Sequence, residues 1–190
     1  RLWSPAALWR RRVPLRVVLH VRRGCGFSQV PMGRCGWGTA FAGHGNIWVQ
    51  RIQPNAYYLE VMRLIRELEP RSAFMVFGPL LFGDFLRGYS SQDFRREGAI
   101  MQLGGPLTEA WQHMAQADIF VMSRSSFSYV PALFARGIVA YSRFWHHPLP
   151  HWLVSNGTVS GVRDAAFASE LKRQVDELAM EVTAAHAAAA

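Results

Sequence analysis

Short apolar runs rich in valine alternate along this chain with longer segments whose apolar residues recur every three to four positions. The short runs are typical of buried strands, and the longer segments are typical of helices with one apolar face. Strands that alternate with helices predict an α/β fold, with a parallel sheet covered by flanking helices. The predicted strands are Leu15 to His20, Ala73 to Phe77, Ala99 to Leu103, Ile119 to Met122 and Ile138 to Tyr141.

Proline marks helix starts, because it fixes φ and needs no hydrogen-bond donor in the first turn. Pro54 or Asn55 and Pro106 therefore begin helices. A helix after Met122 is predicted to have its cap at Ser128 rather than Ser125, which brings Pro131 into the first turn, and to end at Gly137. A loop is predicted from Cys25 to Gln50 and partial helix from Phe82 to Arg96. Two helices are predicted from apolar residues that share one helix face. These residues are Tyr58, Met62, Ile65 and Leu68 in the first helix, and Phe167, Leu171, Val175, Leu178 and Val182 in the second.

The length and composition indicate one main domain. The chain has 190 residues, and 50% of them are hydrophobic, which is enough to bury one good core. We expect an N-terminal extension at residues 1–14 that marks a fragment boundary, an α/β domain at 15–183 and an Ala-rich tail at 184–190. No apolar stretch approaches the roughly 20 residues that cross a bilayer, so we expect no membrane segment in this chain.

The basic charge carries little functional weight. The net charge is +8, but the basic residues are scattered, and Lys172 is the only lysine among 21 of them. An RNA-binding module remains an alternative, disfavoured because no motif interleaves basic and aromatic residues. We expect no nucleic acid partner.

Neither the cysteines nor the clustered histidines predict a metal site. Cys25 and Cys35 are not in a CxxC arrangement, and whether they form a disulfide stays open. The histidines of an aromatic segment lack a matching carboxylate or cysteine, so we predict no metal and no cofactor. Instead, we expect an aromatic loop near the ligand crevice that touches an acceptor sugar. The segment contains Phe144, Trp145, His146, His147, Pro148, Pro150, His151 and Trp152.

The segment from Asp118 to Tyr129 is the first candidate for a binding site. Its apolar run stops at a cluster of hydroxyls formed by Ser125, Ser126 and Ser128, around Phe127. A helix start carries unpaired N–H groups and partial positive charge, so serines there can share an anion with the backbone. This pattern predicts a phosphate cradle, although serine is also an ordinary helix cap.

A second candidate lies at the end of the first predicted strand. His20, Arg22 and Arg23 follow its apolar residues, and alternation puts His20 and Arg22 on the same side. Guanidinium groups offer forked donors to a diphosphate. In parallel α/β sheets, ligands sit beyond the carboxyl ends of the strands, so both candidates should converge on one crevice.

These residues resemble the donor-binding half of fucosyltransferase-like glycosyltransferases. The resemblance is carried by His20-Val-Arg-Arg-Gly24, Asn55-Ala-Tyr-Tyr-Leu59 and Ala117 to Tyr129, and it runs from about Leu15 to Tyr141. It implies a Rossmann-like domain, a nucleotide-sugar donor such as GDP-fucose, a glycan or protein hydroxyl as acceptor, and the Golgi lumen as compartment.

The resemblance also implies roles for individual residues. Arg22 would contact the β-phosphate and neutralise the departing GDP, which makes it the predicted catalytic residue. His20 would lie near the nucleotide, beside Arg23, and Ser125, Ser126, Phe127 and Ser128 would form the second phosphate-contacting turn. Two positions depart from the family pattern. The family usually has Asp at the position of Cys25, and it usually has Ser followed by an acid at the position of Gly78-Pro79. An inactive relative that keeps the fold and binds nucleotide sugar weakly or not at all is therefore the main alternative.

Overall fold

The sheet of this protein is six-stranded and entirely parallel. The structure, a computed structural model, describes residues 15–23, 52–79 and 89–188, and residues 181–188 by their backbone. The strands lie in the order β3-β2-β1-β4-β5-β6. They are β1 (Arg16–His20), β2 (Ala73–Gly78), β3 (Ile100–Leu103), β4 (Ile119–Val121), β5 (Ile138–Ser142) and β6 (Leu153–Ser155).

Helices connect most of the strands and cover both faces of the sheet. The described elements alternate between strand and helix up to β5, after which a segment without a helix leads to β6. The described helices are α1 (Asn55–Leu68), α2 (Ser91–Arg96), α3 (Leu107–Ala115), α4 (Ser126–Ala132), α5 (Val159–Val162) and α6 (Ala165–Ala188). The prediction of an α/β fold with a parallel sheet and flanking helices is confirmed, and its Rossmann-like character is shown by the strand order.

The strand order reverses direction between β1 and β4. From β1 the chain adds β2 and β3 on one side, then returns across the sheet to add β4, β5 and β6 on the other. The helices α1 and α4, which follow β1 and β4, therefore pack on opposite faces of the sheet, and a crevice lies between these strands at the carboxyl edge. This crevice is where the two predicted anion-binding motifs end.

Two apolar cores flank the sheet, because side chains alternate along each strand. Val17 and Leu19 of β1 pack into the core shared with α1, α2 and α6, whereas Val18 packs into the core under α3 and α4. All three valine and leucine side chains are fully buried. Burial on both faces explains why the strands are continuous apolar runs without polar alternation.

An ion pair aligns β1 with β4 at the opposite, amino edge of the sheet. Asp118, just before β4, accepts hydrogen bonds from the backbone N–H of Arg16 at 2.7 Å and from its Nε and Nη2 atoms at 2.9 and 2.7 Å. The Asp118 carboxylate raises the pKa of Arg16 through these bonds. The forked contact holds the register of the two strands whose carboxyl ends border the crevice.

The predicted start of α4 is wrong. Ser125, rather than Ser128, is the cap, and its Oγ accepts a hydrogen bond from the Phe127 N–H at 3.3 Å. Pro131 is tolerated inside the helix because α4 ends one residue later, so the missing N–H costs a single bond in the final turn. The helix consequently has only seven residues and stops at Ala132, not at Gly137.

Gly137 instead allows the chain to approach β4 closely. A Cβ atom at this position would lie 2.3 Å from the Asp118 carbonyl oxygen and 2.5 Å from that of Ala117. Only glycine leaves room for the backbone that leads into β5.

Several predictions concern residues outside those described. They are the N-terminal extension at 1–14, the loop from Cys25 to Gln50 with the Cys25–Cys35 pairing, and the part of the Phe82 to Arg96 segment that precedes residue 89. At the other end, α6 keeps the backbone helical from Ala165 to Ala188. None of the helices in the described part of the chain has both the length and the hydropathy needed to cross a membrane.

Candidate functional site

The residues that follow β1 alternate between the two faces of the sheet. His20 and Arg22 point toward α4, as predicted, whereas Arg23 points toward the start of α1. Side chains in a strand alternate between the two faces, and this alternation continues for a few residues after β1 ends. The two adjacent arginines therefore occupy different environments.

Arg22 reaches across the crevice to the helix cap after β4. Its Nη1 atom donates a hydrogen bond to the Ser125 Oγ at 2.9 Å. Ser125 is itself buried, with 1% of its surface exposed, and the N–H of Phe127 bonds the same Oγ. The two motifs at the ends of β1 and β4 thus meet, as the topology predicts, and the cap fixes the position of the cation.

His20 is buried beneath this contact and is held neutral. Its Nδ1 lies 2.8 Å from the Ser123 Oγ, and the ring packs 4.9 Å from that of Phe127. Burial lowers the pKa of His20 to about 3, with a further contribution from the positive charges of Arg22 and Arg23. At neutral pH the imidazole therefore adds hydrogen-bonding capacity to the crevice but no charge.

Ser128 supports the same turn from below. It is fully buried, and its hydroxyl lies 3.0 Å from the carbonyl oxygens of Ser123 and Ser125, to which it donates. Its Oγ is also 3.3 Å from the Ser123 Oγ, so His20, Ser123 and Ser128 form one buried chain of hydrogen bonds. Ser128 therefore shapes the turn from inside the protein.

Arg23 is a buried structural cation in this geometry. Its Nη1 donates to the carbonyl oxygens of Arg22 and Gln53, both at 2.9 Å, and its Nη2 donates to the Asn55 side chain. Its guanidinium also lies 5.1 Å from the centroid of the Tyr89 ring, and burial lowers its pKa to about 10. Arg23 borders the crevice, but its terminal nitrogens bond the loop and helix beneath it.

The aromatic segment between β5 and β6 reaches the same crevice. Ser126, exposed at the start of α4, has its Oγ 2.9 Å from His146 Nε2, and the His146 ring stacks on Tyr129 with centroids 4.4 Å apart. The adjacent Trp145 borders the crevice with 46% of its surface exposed. These contacts position the predicted aromatic loop beside the phosphate-binding candidates.

These groups open onto one large cavity of about 1050 Å³. It is lined by Arg22, Ser125 and Ser126, and also by residues of the segments that follow β2 and β3. The loop after β3 is fixed there, because the Gly104 N–H donates to the Gly78 carbonyl at 3.1 Å. Gly104 has a φ of +66°, which favours glycine. The volume suits a nucleotide or a nucleotide sugar.

Sequence reasoning missed the part of the cavity formed by the β3–α3 connection. Gln102, Gly104, Pro106 and Glu109 all border it. The Gly-Gly-Pro sequence before α3 was the available signal, since it follows a predicted strand and opens a predicted helix.

Charges in the cavity favour an anionic ligand. Among the described lining residues, three are arginines, Arg22, Arg23 and Arg95, and one, Glu109, carries a carboxylate. Within residues 15–23, 52–79 and 89–188, no three His, Cys, Asp or Glu side chains lie close enough together to hold a metal ion. Guanidinium and hydroxyl groups such as those of Arg22 and Ser125 are able to hydrogen-bond anionic oxygens.

Comparison with known proteins found no matching family model, no matching curated protein and no matching solved structure.

Proposed function

We propose that this chain is the donor-binding domain of a fucosyltransferase-like glycosyltransferase. It binds GDP-fucose or a similar nucleotide sugar and transfers the sugar to a glycan or protein hydroxyl. The proposal includes the Golgi lumen as the compartment, because that is where the resembling enzymes work. No cofactor takes part in this scheme.

One observation carries the proposal, the contact between Arg22 and Ser125 at the edge of the cavity. Arg22 follows β1, Ser125 follows β4, and their side chains meet at 2.9 Å where the strand order reverses. Ligands of doubly wound sheets bind at this point, and a guanidinium beside hydroxyls is a good partner for phosphate oxygens. The cavity beside them has room for the nucleoside and the sugar.

In the proposed reaction, the bond between the sugar C1 atom and the β-phosphate oxygen breaks as an acceptor hydroxyl bonds to C1. The bonding electrons leave with the diphosphate, so negative charge grows on its oxygens, and the proton of the acceptor hydroxyl passes to the departing diphosphate or to water. Arg22 stabilises that charge, and because Ser125 holds its guanidinium in place, little reorganisation is needed. His20 stays neutral beneath it, since its pKa is about 3, and offers a hydrogen-bonding edge to the ligand.

Calorimetric titration of GDP-fucose and GDP into the protein tests the proposal. We expect micromolar binding by the intact chain and a loss of about tenfold to a hundredfold in the Arg22→Ala variant, as for a lost charged hydrogen bond. Arg71→Ala is the control, because it removes the same charge from an exposed position before β2, at the opposite edge of the sheet.

The contrary results separate the alternatives. A folded protein that binds neither ligand is a relative that keeps the fold without the donor site. Equal losses in the Arg22 and Arg71 variants would show that net charge, not the site, holds the nucleotide. Tight, strongly salt-dependent binding of RNA in place of nucleotide sugar would favour the nucleic-acid module.

A further inference from the structure

Trp145 is the exposed tryptophan of the aromatic segment between β5 and β6. It borders the cavity, and 46% of its surface is exposed. The second tryptophan of the segment, Trp152, is instead buried, with 4% of its surface exposed. An indole that lines a cavity and stays exposed offers apolar area that a ligand can cover.

Hydrogen bonds to the backbone hold the aromatic segment in place. The Tyr141 hydroxyl donates to the carbonyl oxygen of His146 and accepts from the N–H of Phe144, the latter at 3.1 Å. The Tyr129 hydroxyl donates to the carbonyl oxygen of His147 at 2.7 Å. The two tyrosines belong to α4 and β5, so the segment is fixed to two elements of the fold. A ligand that binds there meets a surface that needs little ordering.

Two neighbouring rings support Trp145 without stacking on it. Its ring centroid lies 5.1 Å from that of Phe144, with an interplanar angle of 72°, and 5.9 Å from that of His146, with an angle of 56°. Neither contact is a parallel stack, and nearly half of the tryptophan surface remains exposed. The indole therefore has area on its faces for another ring.

The strand order locates Trp145 relative to the phosphate-binding candidates. Arg22 follows β1 and Ser125 follows β4, and these two strands are neighbours. β5 lies beyond β4, whereas β2 and β3 lie beyond β1. Trp145 follows β5, so the segments that follow β2 and β3 lie on the other side of Arg22 and Ser125 at the carboxyl edge. Residues from both sides line the cavity.

This division gives the two ends of a nucleotide sugar separate places. The diphosphate lies between the nucleoside and the sugar, so the two ends extend to opposite sides of the phosphate-binding candidates. Phe77, Pro79 and Leu107 give the β2 and β3 side apolar walls, which suit the flat nucleoside. The sugar is then directed toward β5, where Trp145 borders the cavity.

A pyranose ring has the two kinds of surface that the β5 side offers to bind. Its C–H groups form an apolar face that packs on the face of an indole, and its hydroxyls lie around the edge. The hydroxyl of Ser126 and the imidazole of His146 are the polar groups beside Trp145, and they lie 2.9 Å apart. A serine or threonine side chain of a protein has a hydroxyl but no ring to stack.

We propose that Trp145 is the stacking platform for a sugar ring of the acceptor, which makes the acceptor a glycan rather than a protein side chain. This inference rests on the proposed function, because it assigns the acceptor side of the same site. The imidazole of His146 separates Trp145 from Ser126. The donor sugar, attached to the β-phosphate at Arg22 and Ser125, occupies the space beside Ser126. The ring on Trp145 is the next one, and its hydroxyl faces C1 of the donor sugar.

NMR titration tests this assignment. The indole N–H resonance of Trp145 is followed in the intact chain saturated with GDP, while N-acetylglucosamine, galactose and glucose are added in turn. We expect at least one of these sugars to shift the resonance, with millimolar affinity. In Trp145→Ala, the same sugar should bind about threefold to tenfold more weakly, as measured on the sugar signals.

Three comparisons isolate the role of the indole. Trp145→Phe keeps an aromatic face and should retain most of the affinity for the sugar. GDP and GDP-fucose should bind Trp145→Ala as tightly as they bind the intact chain, which also shows that the variant is folded. Phe134→Ala is the matched control, because Phe134 is an aromatic residue with 72% of its surface exposed that does not border the cavity.

Each contrary result has a distinct meaning. If no sugar binds the intact chain, or if Trp145→Ala binds the sugars equally well, no acceptor ring stacks on Trp145. Weaker binding of GDP-fucose but not of GDP in Trp145→Ala would assign the indole to the donor sugar, and weaker binding of both would assign it to the nucleotide. A shift of the Trp145 resonance by an acetylated threonine amide, and by none of the sugars, would favour a protein acceptor. All of these results overturn the proposal and leave the donor site in place.

Failure of the proposed function gives a different result. If the intact chain does not bind GDP, the donor site is absent, and the acceptor role of Trp145 is overturned with it, even where a sugar still binds through the indole.

Discussion

The two adjacent arginines after β1 should respond very differently to truncation. Arg23 has 5% of its surface exposed and donates to two backbone carbonyls at 2.9 Å and to the Asn55 side chain. Arg23→Ala would remove the donor that bonds the carbonyl oxygen of Gln53 and the side-chain oxygen of Asn55. Water cannot easily replace it, because only 1% of each of these residues is exposed. A buried acceptor that loses its donor costs about 1–3 kcal/mol, so the loss of these bonds should lower the unfolding free energy by about 3–5 kcal/mol. Arg22→Ala removes a partly exposed bond to Ser125 and should cost about 1 kcal/mol.

Urea unfolding followed by tryptophan fluorescence measures both free energies, since the chain contains seven tryptophans. In a nucleotide-binding assay the order of the two variants should be reversed, because Arg22 is assigned to the ligand and Arg23 to the fold. Arg22→Ala should lose affinity while remaining folded, and Arg23→Ala should lose affinity only to the extent that it unfolds. Equal destabilisation by the two variants, or a larger effect of Arg22→Ala, would refute the division of roles.

Three further predictions concern other parts of the fold. Folding lowers the pKa of His20 from 6.5 to about 3. Between these two pH values the unfolded chain binds a proton that the folded chain does not, so the unfolding free energy should fall as the pH drops from 6.5. From pH 7 to pH 5, the unfolding free energy of the native chain, measured with urea, should fall by about 2 kcal/mol more than that of His20→Asn. Gly137→Ala should destabilise by about 1–3 kcal/mol in the same assay, because its Cβ would meet the Asp118 carbonyl at 2.3 Å. Expression through the secretory pathway should add a glycan at the exposed Asn156 of Asn156-Gly-Thr158, detected as a glycosidase-sensitive mass that Asn156→Gln abolishes.

Contrary results for these three are equally definite. An identical pH dependence in the native chain and His20→Asn would mean that His20 is protonated in the folded state. A Gly137→Ala variant as stable as the native chain would show that the backbone before β5 can move aside. Absence of the glycan on a secreted, folded chain would show that Asn156 is not accessible for modification, despite its exposure in the structure.

Local pattern was enough to predict the sheet and most of its connections. The apolar runs at β1, β2, β4 and β5 are buried on both faces, so their composition alone identifies them. Pro54 and Pro106 precede α1 and α3, as the preference of proline for helix starts predicts. β6 was not predicted, because its Leu-Val-Ser sequence offers only two apolar residues, whereas all three residues of β4 are apolar.

Prediction of the site was limited by contacts that no local pattern encodes. The alternation of side chains along a strand correctly predicted that His20 and Arg22 lie on the same side of β1. The same rule assigns Arg23 to the opposite side, although the two adjacent arginines look equivalent in the sequence. Ser128 belongs to the predicted hydroxyl cluster but turns inward to backbone carbonyls. Glu109 lies in the cavity only because the β3–α3 connection folds over the ends of the strands.

A crystal structure of the protein with bound GDP would test the central claim most directly. The account predicts diphosphate oxygens within hydrogen-bond distance of the Arg22 guanidinium and the Ser125 turn, at the carboxyl edge between β1 and β4. A diphosphate bound elsewhere, such as at the exposed Arg95 or outside the cavity, would contradict it.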